Sequence, residues 1–153
     1  MPSAFTLLLF FLLAACSVPG PSEPVALIAS KKNQWQAKNI RSYRIAVQKV
    51  QASSHAQTNT ITVQDGIVTE QSATCTPAPF EGRQCEIQSF DPNEFTVAGL
   101  FNTALTYAPD SEKYQLRVTF DETHHFPKTI SRDQAEVRDD ETFWRVVSFE
   151  SLQ

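Results

Sequence analysis

The amino-acid sequence predicts an α+β fold: a single domain in which two helices pack on one face of an antiparallel sheet of about six strands. Two amphipathic segments with helical spacing are separated by segments that alternate like strands, in the order helix, three strands, helix, three strands. Within each group of three, the strands follow one another through short links, which favours antiparallel pairing. Amphipathic helices must then cover one face of that sheet.

The first predicted helix covers residues 25–39. Pro24 suits the first turn of a helix, and Val25, Ile28 and Trp35 fall on one side of it. Because a surface helix buries one apolar stripe, we expect Trp35 to lie in the core rather than to act as a platform for a ligand.

Three strands are predicted after this helix. Residues 42–51 alternate between apolar and polar side chains, and residues 58–64 are rich in Thr and Ile. Asp65-Gly66 then predicts a two-residue hairpin turn into a third strand at residues 67–69.

A second helix is predicted to open near Asp91 and to end at Pro109. Asp91 is a suitable N-cap, Pro92 suits the first turn, and Glu94 stands where a capping box places an acidic residue. The expected buried stripe consists of Val97, Phe101, Ala104 and Leu105.

Three further strands complete the predicted order. Residues 114–120 alternate most clearly, and a turn through residues 124–127 leads to a short strand at residues 128–132. Acidic residues 139–141 precede a last strand at residues 143–149. We therefore expect one α+β domain over residues 25–153.

The first residues are typical of an export signal. The run from Phe5 to Ala15 is apolar except for Thr6, and it is far shorter than the roughly 20 residues that a membrane-spanning helix needs. Residues 1–15 are therefore interpreted as a signal peptide, although the segment lacks the usual Lys or Arg near its start. Leu13-Ala14-Ala15-Cys16 resembles a bacterial lipobox, which implies that Cys16 carries lipid and begins the mature chain. An ordinary signal peptide cut beside a cysteine is the alternative.

Residues 16–24 are interpreted as the lipidated cysteine and a short tether. Three prolines keep this tether extended at about 3 Å per residue, so the domain would lie close to the membrane. In lipoproteins that resemble this one, Asp after the modified cysteine favours the inner membrane, and Ser17 stands there instead. We therefore expect a lipid-anchored protein of the cell envelope, in the outer membrane and facing the periplasm.

The charge pattern argues against a nucleic-acid partner. Thirteen Lys and Arg residues and seventeen Asp and Glu residues give a net charge of −4, with both signs interspersed, whereas nucleic-acid binding favours a basic surface. The sequence contains neither a Gly-rich phosphate loop nor a zinc pattern, so no cofactor is expected. It also lacks a Gly-x-Ser-x-Gly elbow, and we expect no enzymatic activity.

Two cysteines remain once Cys16 is assigned to lipid. In an exported protein, Cys75 and Cys85 are expected to form a disulfide, with a metal or redox site as the alternative. The bridge would close a short loop that prolines stiffen. The residues of this loop that form the candidate partner-binding surface are Pro77, Pro79, Phe80 and Arg83.

Several residues follow the pattern of a known family. The pattern has a Trp late in the first helix, a strand opening with Ser-Tyr-Arg, an Asp-Gly turn and a Leu-Phe pair in the second helix. A strand ending in Asp, a Gly-Tyr-Pro-like turn, an Ile and a further Asp follow. The matching positions are Trp35, Ser42-Tyr43-Arg44, Asp65-Gly66, Leu100-Phe101, Asp121, Phe126-Pro127, Ile130 and Asp133.

By these positions the chain resembles a bacterial lipoprotein family known only as a domain of unknown function. The resemblance covers most of the mature chain and implies a fold and a location, but no activity. The sequence departs from the pattern at the turn, where His125 precedes Phe126-Pro127 in place of Gly. This difference argues against a left-handed residue at that position.

Two polar clusters are candidates for metal sites. His124 and His125 adjoin Asp121 and Glu122, but neighbouring residues on extended backbone point to opposite faces, so we expect solvated turn residues. The acidic residues 139–141 lack the ligand spacing and the central Gly of a calcium loop, so we expect a charged hairpin turn.

Two functions remain open from the sequence. The first is a non-catalytic binding or accessory role in the cell envelope, with another envelope protein as the partner. The second is a lipid-anchored inhibitor of a secreted or periplasmic hydrolase. An inhibitor presents a rigid exposed loop, and the segment closed by Cys75 and Cys85 is the feature that fits.

Overall fold

The computed structural model describes residues 22–51, 56–76, 85–134 and 136–153. The predicted signal peptide, Cys16 and most of the predicted tether lie outside these residues. The helices and strands are α1 (Glu23–Ala37), β1 (Tyr43–Gln51), β2 (Ala56–Gln64), β3 (Ile67–Thr76), α2 (Val97–Tyr107), β4 (Arg117–Phe120), β5 (Pro127–Arg132) and β6 (Thr142–Ser151). Two short 3₁₀ turns, Pro92–Phe95 and Ala108–Asp110, flank α2.

The strands form one six-stranded antiparallel sheet in the order β3-β2-β1-β6-β5-β4. This confirms the predicted α+β class and the order helix, three strands, helix, three strands. Each group of three consecutive strands is a meander, and the two meanders join where β1 pairs with β6. The first and last strands of the domain therefore lie side by side at the centre of the sheet.

A single hydrophobic core lies between the helices and one face of the sheet. Ile28 and Trp35 from α1 and Phe101 from α2 pack against Ile45 of β1 and Ile130 of β5, and all five are at least nine-tenths buried. The prediction that Trp35 belongs to the core is confirmed. Burying such a side chain contributes roughly 1.5–3 kcal/mol, which explains why the amphipathic stripes fix the positions of both helices.

A β-bulge adjusts the central strand pair to this core. Ala46 pairs with Ser148 and Val47 pairs with Val146, so Val147 has no partner on β1. An extra residue shifts the alternation of a strand by one position. As a result, Val146 and Phe149 both pack against the core although they are three residues apart.

The hairpin between β2 and β3 has the turn chemistry that the sequence predicts. Asp65 and Gly66 both have positive φ, +50° and +83°, which a two-residue turn of this type requires and which Asp-Gly tolerates well. The strand after the turn is longer than predicted, because β3 continues to Thr76 and pairs with β2 throughout.

The start of the second helix differs from the prediction. Asp91 caps the 3₁₀ turn Pro92–Phe95, where its Oδ1 accepts from the N–H of Asn93 at 2.9 Å. The α-helix begins afterwards and has its own cap, Thr96, whose hydroxyl accepts from the N–H of Gly99 at 3.0 Å. The sequence supplies two adjacent capping residues, and each starts a separate helical segment.

The predicted strand at residues 114–120 is wrong in its first half. Gln115 has a φ of +41°, and the N–H groups of Tyr114 and Leu116 donate to Asp110 and Ser111 within a turn. Regular pairing begins only at Arg117. The ring of Tyr114 packs instead against Tyr107, with 5.1 Å between centroids. Apolar alternation cannot distinguish this turn from a strand, because the pattern shows which side chains are apolar and not which backbone conformation joins them.

The sheet face away from the helices is polar. Arg44 of β1 donates to Thr62 of β2 at 3.4 Å and pairs with Glu150 of β6 at 3.7 Å, and Thr62 donates to Glu70 of β3 at 3.2 Å. None of the helices within the described residues has the length and apolarity needed to cross a membrane.

Candidate functional site

Two adjoining cavities of about 190 and 400 Å³ open on the helix-covered side of the sheet. They share three lining side chains, Lys49 of β1, Asp91 and Glu94. We call the combined space the polar cleft. It lies between the end of β1 on one side and the 3₁₀ turn Pro92–Phe95 with the adjoining face of α2 on the other.

The floor of the polar cleft consists of buried amide side chains. Gln57 and Asn59 lie on β2 in register with the core residue Ile61, and they are 8% and 1% exposed. Gln57 donates from Nε2 to Oδ1 of Asn59 at 2.8 Å. Buried polar groups without partners are costly, so amides at inward-facing positions of a strand indicate a purpose other than core packing.

Gln57 also fixes the wall of the cleft. Its Oε1 accepts from the N–H of Gln88 at 2.8 Å, and its Nε2 donates to the carbonyl of Gln88 at 3.0 Å. The side chain thereby pairs with the extended segment at residues 85–90 as a neighbouring backbone would. Both ends of its amide are used, which holds this segment against the inner face of β2.

A disulfide fixes the same segment at its start. Cys75, near the end of β3, is bonded to Cys85, and their Cα atoms are 5.9 Å apart. This confirms the predicted pairing. The candidate partner-binding residues Pro77, Pro79, Phe80 and Arg83 lie outside the described residues. The bridge also anchors the segment at residues 85–90, which forms a wall of the cleft. The sequence alone did not reveal this role.

The three charged groups of the cleft are not neutralised by one another. Among the described residues, Arg44–Glu150, Arg132–Asp140 and the His124–Asp121 contact have N···O distances up to 4.0 Å, and none of these involves Lys49, Asp91 or Glu94. The Lys49 ammonium lies 5.6 Å above the centre of the Trp144 ring instead. The cleft therefore presents a half-buried cation on its sheet side and two carboxylates on its helix side.

Glu94 belongs to the cleft rather than to a capping box. The predicted box would direct its carboxylate back to the N-cap, but only its backbone N–H contacts Asp91, donating to the carbonyl at 3.1 Å. The Glu94 side chain is exposed and lines both cavities. The acidic residue three positions after Asp91 thus points into the cleft.

Gly99 allows the 3₁₀ turn to lie against α2. A Cβ at this position would collide with the carbonyl oxygen of Asn93 and would approach the backbone carbonyl of Glu94 to 2.6 Å. Only glycine permits this approach. Gly99 therefore sets the position of Glu94 on the wall of the cleft.

A second polar cluster, at residues 121–126, uses its polar groups to hold its own turn. Oδ1 of Asp121 accepts from the N–H of Thr123 at 3.1 Å, from the N–H of His124 at 2.7 Å, and contacts Nδ1 of His124 at 3.1 Å. Burial raises the pKa of Asp121, but these hydrogen bonds outweigh it, and the pKa lies below the usual 3.8.

The two histidines lie at a turn, as expected, but they are only partly exposed to solvent. The His124 side chain is 31% exposed and packs on Phe149, with 5.0 Å between ring centroids. His125 is half-buried, and its Nδ1 has no hydrogen-bond partner among the described residues. His125 also has a φ of +68°. The left-handed residue that the missing Gly argued against is therefore present, and a histidine adopts it.

The acidic residues 139–141 lie in the connection between β5 and β6, as predicted for a charged turn. Asp140 accepts two hydrogen bonds from Arg132, at 2.8 and 3.2 Å. The Arg132 guanidinium stacks over Tyr107 at 5.1 Å. Across the ranges that the structure describes, no three His, Cys, Asp or Glu side chains are grouped so as to hold a metal ion.

Three aromatic residues of the family pattern pack together around Trp35. Trp35 packs edge-on against Tyr43 and Phe126, with centroid distances of 5.8 and 5.9 Å. The Tyr43 hydroxyl accepts from the N–H of Val97 at 3.2 Å, at the start of α2. These residues of the pattern therefore have a structural role, because they join α1, β1, α2 and the turn before β5.

A comparison with known families agrees with this pattern. Residues 27–151 match the model of a family of unknown function, DUF6174. The chain belongs to the DUF6174 family. No match was found among curated proteins or among solved structures. The matched region includes the whole described domain except its outermost residues.

Sequence reasoning missed the polar cleft almost entirely. The sequence predicts Asp91 and Glu94 as helix-start residues and assigns no role to Lys49, Gln57 or Asn59. A signal was present, because β2 places Gln57 and Asn59 on the same face as Ile61 and Val63. Amides continuing an apolar stripe indicate that the buried face of a strand ends in a polar site.

Proposed function

We propose that this protein is a lipid-anchored protein of the bacterial cell envelope with a non-catalytic binding role, and that the polar cleft is its binding site. The observation that carries the binding role is the cleft itself: it has charges of both signs that form no ion pairs with other described residues, and they lie above buried amides. Concave sites with a few fixed polar groups are the usual form of a ligand site.

The location rests on different observations. The apolar leader followed by Leu13-Ala14-Ala15-Cys16 supports export and lipidation, and Ser17 supports the outer membrane with the domain facing the periplasm. The Cys75–Cys85 disulfide is consistent with this location, because disulfides persist in oxidising compartments. Two or more acyl chains give stable attachment, since each buried CH₂ contributes roughly 0.8 kcal/mol.

Replacing the lipid-bearing residue tests the anchor. Cys16→Ala should move the protein from the membrane fraction to the soluble fraction of the cell envelope, while Ser17→Ala, the matched control, should remain attached. Fractionation with a carbonate wash and mass analysis of the mature N-terminus provide the measurement. Retention of Cys16→Ala in the washed membranes would contradict the proposed anchor.

The alternative function is inhibition of a secreted or periplasmic hydrolase. It is favoured by the disulfide, which brings Cys75 and Cys85 together and closes the segment between them into a loop. A screen of the purified protein against peptidases, lysozymes and lipases would test it. Inhibition that is lost on replacing Arg83 and Phe80, and kept on replacing Lys49, would favour this function over binding in the cleft.

A further inference from the structure

We propose that the polar cleft binds a small zwitterion, meaning an amino acid or a dipeptide whose ammonium and carboxylate groups are both free. This inference rests on the proposed binding role and specifies the ligand. Lys49 would bind the carboxylate of the ligand, and Asp91 with Glu94 would bind its ammonium group.

The charge arrangement selects this class. Lys49 lies on the sheet side of the cleft, and Asp91 and Glu94 line it with no ion pair to Lys49 within 4.0 Å in the described residues. A simple anion would bind Lys49 but would face two carboxylates, and a simple cation would face the opposite conflict. A ligand that carries both charges satisfies both sides, and each charge-assisted hydrogen bond is stronger than a neutral one.

The position of Lys49 is restrained before any ligand binds. Its ammonium lies 5.6 Å above the ring of Trp144, which is only 7% exposed. A cation over an aromatic face is attracted by the ring. A long side chain that is already ordered loses less freedom when a ligand binds, and this raises affinity.

The floor supplies a donor for the same ligand. Asn59 is 1% exposed and lines the cleft, and within the described part of the chain its amide engages Gln57 through Oδ1, as an acceptor. Its Nδ2 is then available as a donor, beside Lys49, for a carboxylate oxygen. Gln57 cannot take this role, because both ends of its amide are engaged.

Sugar recognition fits the cleft less well. Glycan sites present open aromatic faces on which a sugar ring stacks, whereas Lys49 covers Trp144 here and Arg132 covers Tyr107 at 5.1 Å. Phe90 meets Phe95 edge-on at 5.5 Å. The combined space is adequate for an amino acid or a dipeptide, since the two cavities are about 190 and 400 Å³.

The test is isothermal titration of the mature, lipidated protein in detergent micelles. The probes are a panel of free amino acids, dialanine, N-acetylalanine and alanine amide. We expect at least one zwitterion to bind, and we expect the analogue with a blocked amine or a blocked carboxylate to bind about tenfold more weakly or worse, as the loss of a charged partner predicts. Comparing the free amino acids with dialanine shows whether the ligand is an amino acid or a dipeptide.

Variants assign the binding to this cleft. Lys49→Met keeps the stem over Trp144 and removes the charge, and Glu94→Gln removes an exposed carboxylate; both should weaken binding about tenfold or more without lowering the melting temperature. Lys38→Met and Glu112→Gln change exposed charges outside the cleft and should bind as the wild type does.

Three results would overturn the inference. They are equal binding of the blocked analogues, unchanged binding by Lys49→Met, and no binding by any zwitterion of the panel at millimolar concentration. If instead a neutral sugar bound and Lys49→Met abolished that binding, the zwitterion would be wrong while the binding role stood. Failure of the anchor itself is detected separately, by the fractionation of Cys16→Ala.

Discussion

The hydroxyl group of Tyr43 links the sheet to the start of α2, and its removal gives a sharp test of this architecture. Tyr43 is 5% exposed, and its oxygen accepts from the N–H of Val97, the first residue of the helix, at 3.2 Å. Tyr43→Phe keeps the ring contacts with Trp35 and Phe149, at 5.8 and 5.6 Å. It leaves the buried N–H of Val97 without its partner and removes the interaction of the hydroxyl with the Thr96 side chain.

The largest part of the expected loss comes from the unsatisfied N–H of Val97. A buried donor without a partner costs about 1–3 kcal/mol, and the 3.2 Å separation points to the lower half of this range, about 1.5 kcal/mol. Urea unfolding should show a lower midpoint with an unchanged m-value. Tyr114→Phe is the matched control, because its ring is half-buried and its hydroxyl makes no hydrogen bond within the described residues.

The same substitution should alter the alkaline limit of stability. Burial raises the pKa of Tyr43 above its usual 10.0, although hydrogen bonds with the backbone of Val97 and the side chain of Thr96 offset part of the rise. Above about pH 10 the unfolded chain therefore loses this proton before the folded chain does, and the stability that Tyr43 contributes is lost as pH rises. Tyr43→Phe should be less stable than wild type at pH 7, and the difference should narrow above pH 10.

The reasoning would be refuted by two results. One is a loss at pH 7 that is no larger than that of Tyr114→Phe, which would mean that the hydrogen bond to Val97 does not stabilise the fold. The other is a stability difference that stays constant from pH 7 to pH 11. In that case the hydroxyl would titrate alike in the folded and the unfolded chain.

Two further predictions concern the bridge and the left-handed turn. Replacing both Cys75 and Cys85 by Ser should lower the free energy of unfolding by about 3 kcal/mol, since the chain-entropy model gives that value for a sequence separation of 10. A loss below about 1 kcal/mol in chemical denaturation would contradict this prediction. His125→Gly should be more stable than His125→Ala by about 1 kcal/mol, because alanine keeps the cost of a φ of +68° and glycine does not. Equal melting temperatures of the two His125 variants would show that the turn relaxes to negative φ.

Local chemistry explains why much of the fold was predictable. The Asp65-Gly66 turn needs positive φ at both residues, and this dipeptide supplies it wherever the strands lie. The stripe of α1 buries Ile28 and Trp35 because their spacing places them on one side. The pairing of Cys75 with Cys85 was predictable because the chain has few cysteines and the predicted export favours a disulfide between these two. These features depend on a few neighbouring residues, and the sequence displays them directly.

Errors arose where local patterns had two structural solutions. Tyr114 and Leu116 alternate as in a strand, yet a turn around Gln115 satisfies the same alternation. Asp91 and Thr96 are both good caps, and only packing showed that each begins its own segment. His125 takes a left-handed conformation that the sequence alone argues against, because the hydrogen bonds around Asp121 and the burial of Phe126 hold the turn closed.

The sequence by itself determined the element order, the apolar faces of the helices and the Asp-Gly hairpin, and it predicts a leader with a lipobox. Only the tertiary structure decided that β6 lies between β1 and β5, and that Lys49 faces Glu94 across a cleft. The physical reason is separation along the chain. Strand partners and cleft walls come from distant segments, and they meet only when the whole core closes. No local preference of Lys49, Asn59 or Glu94 brings these side chains together. They come together because burial of the shared apolar face folds the whole domain.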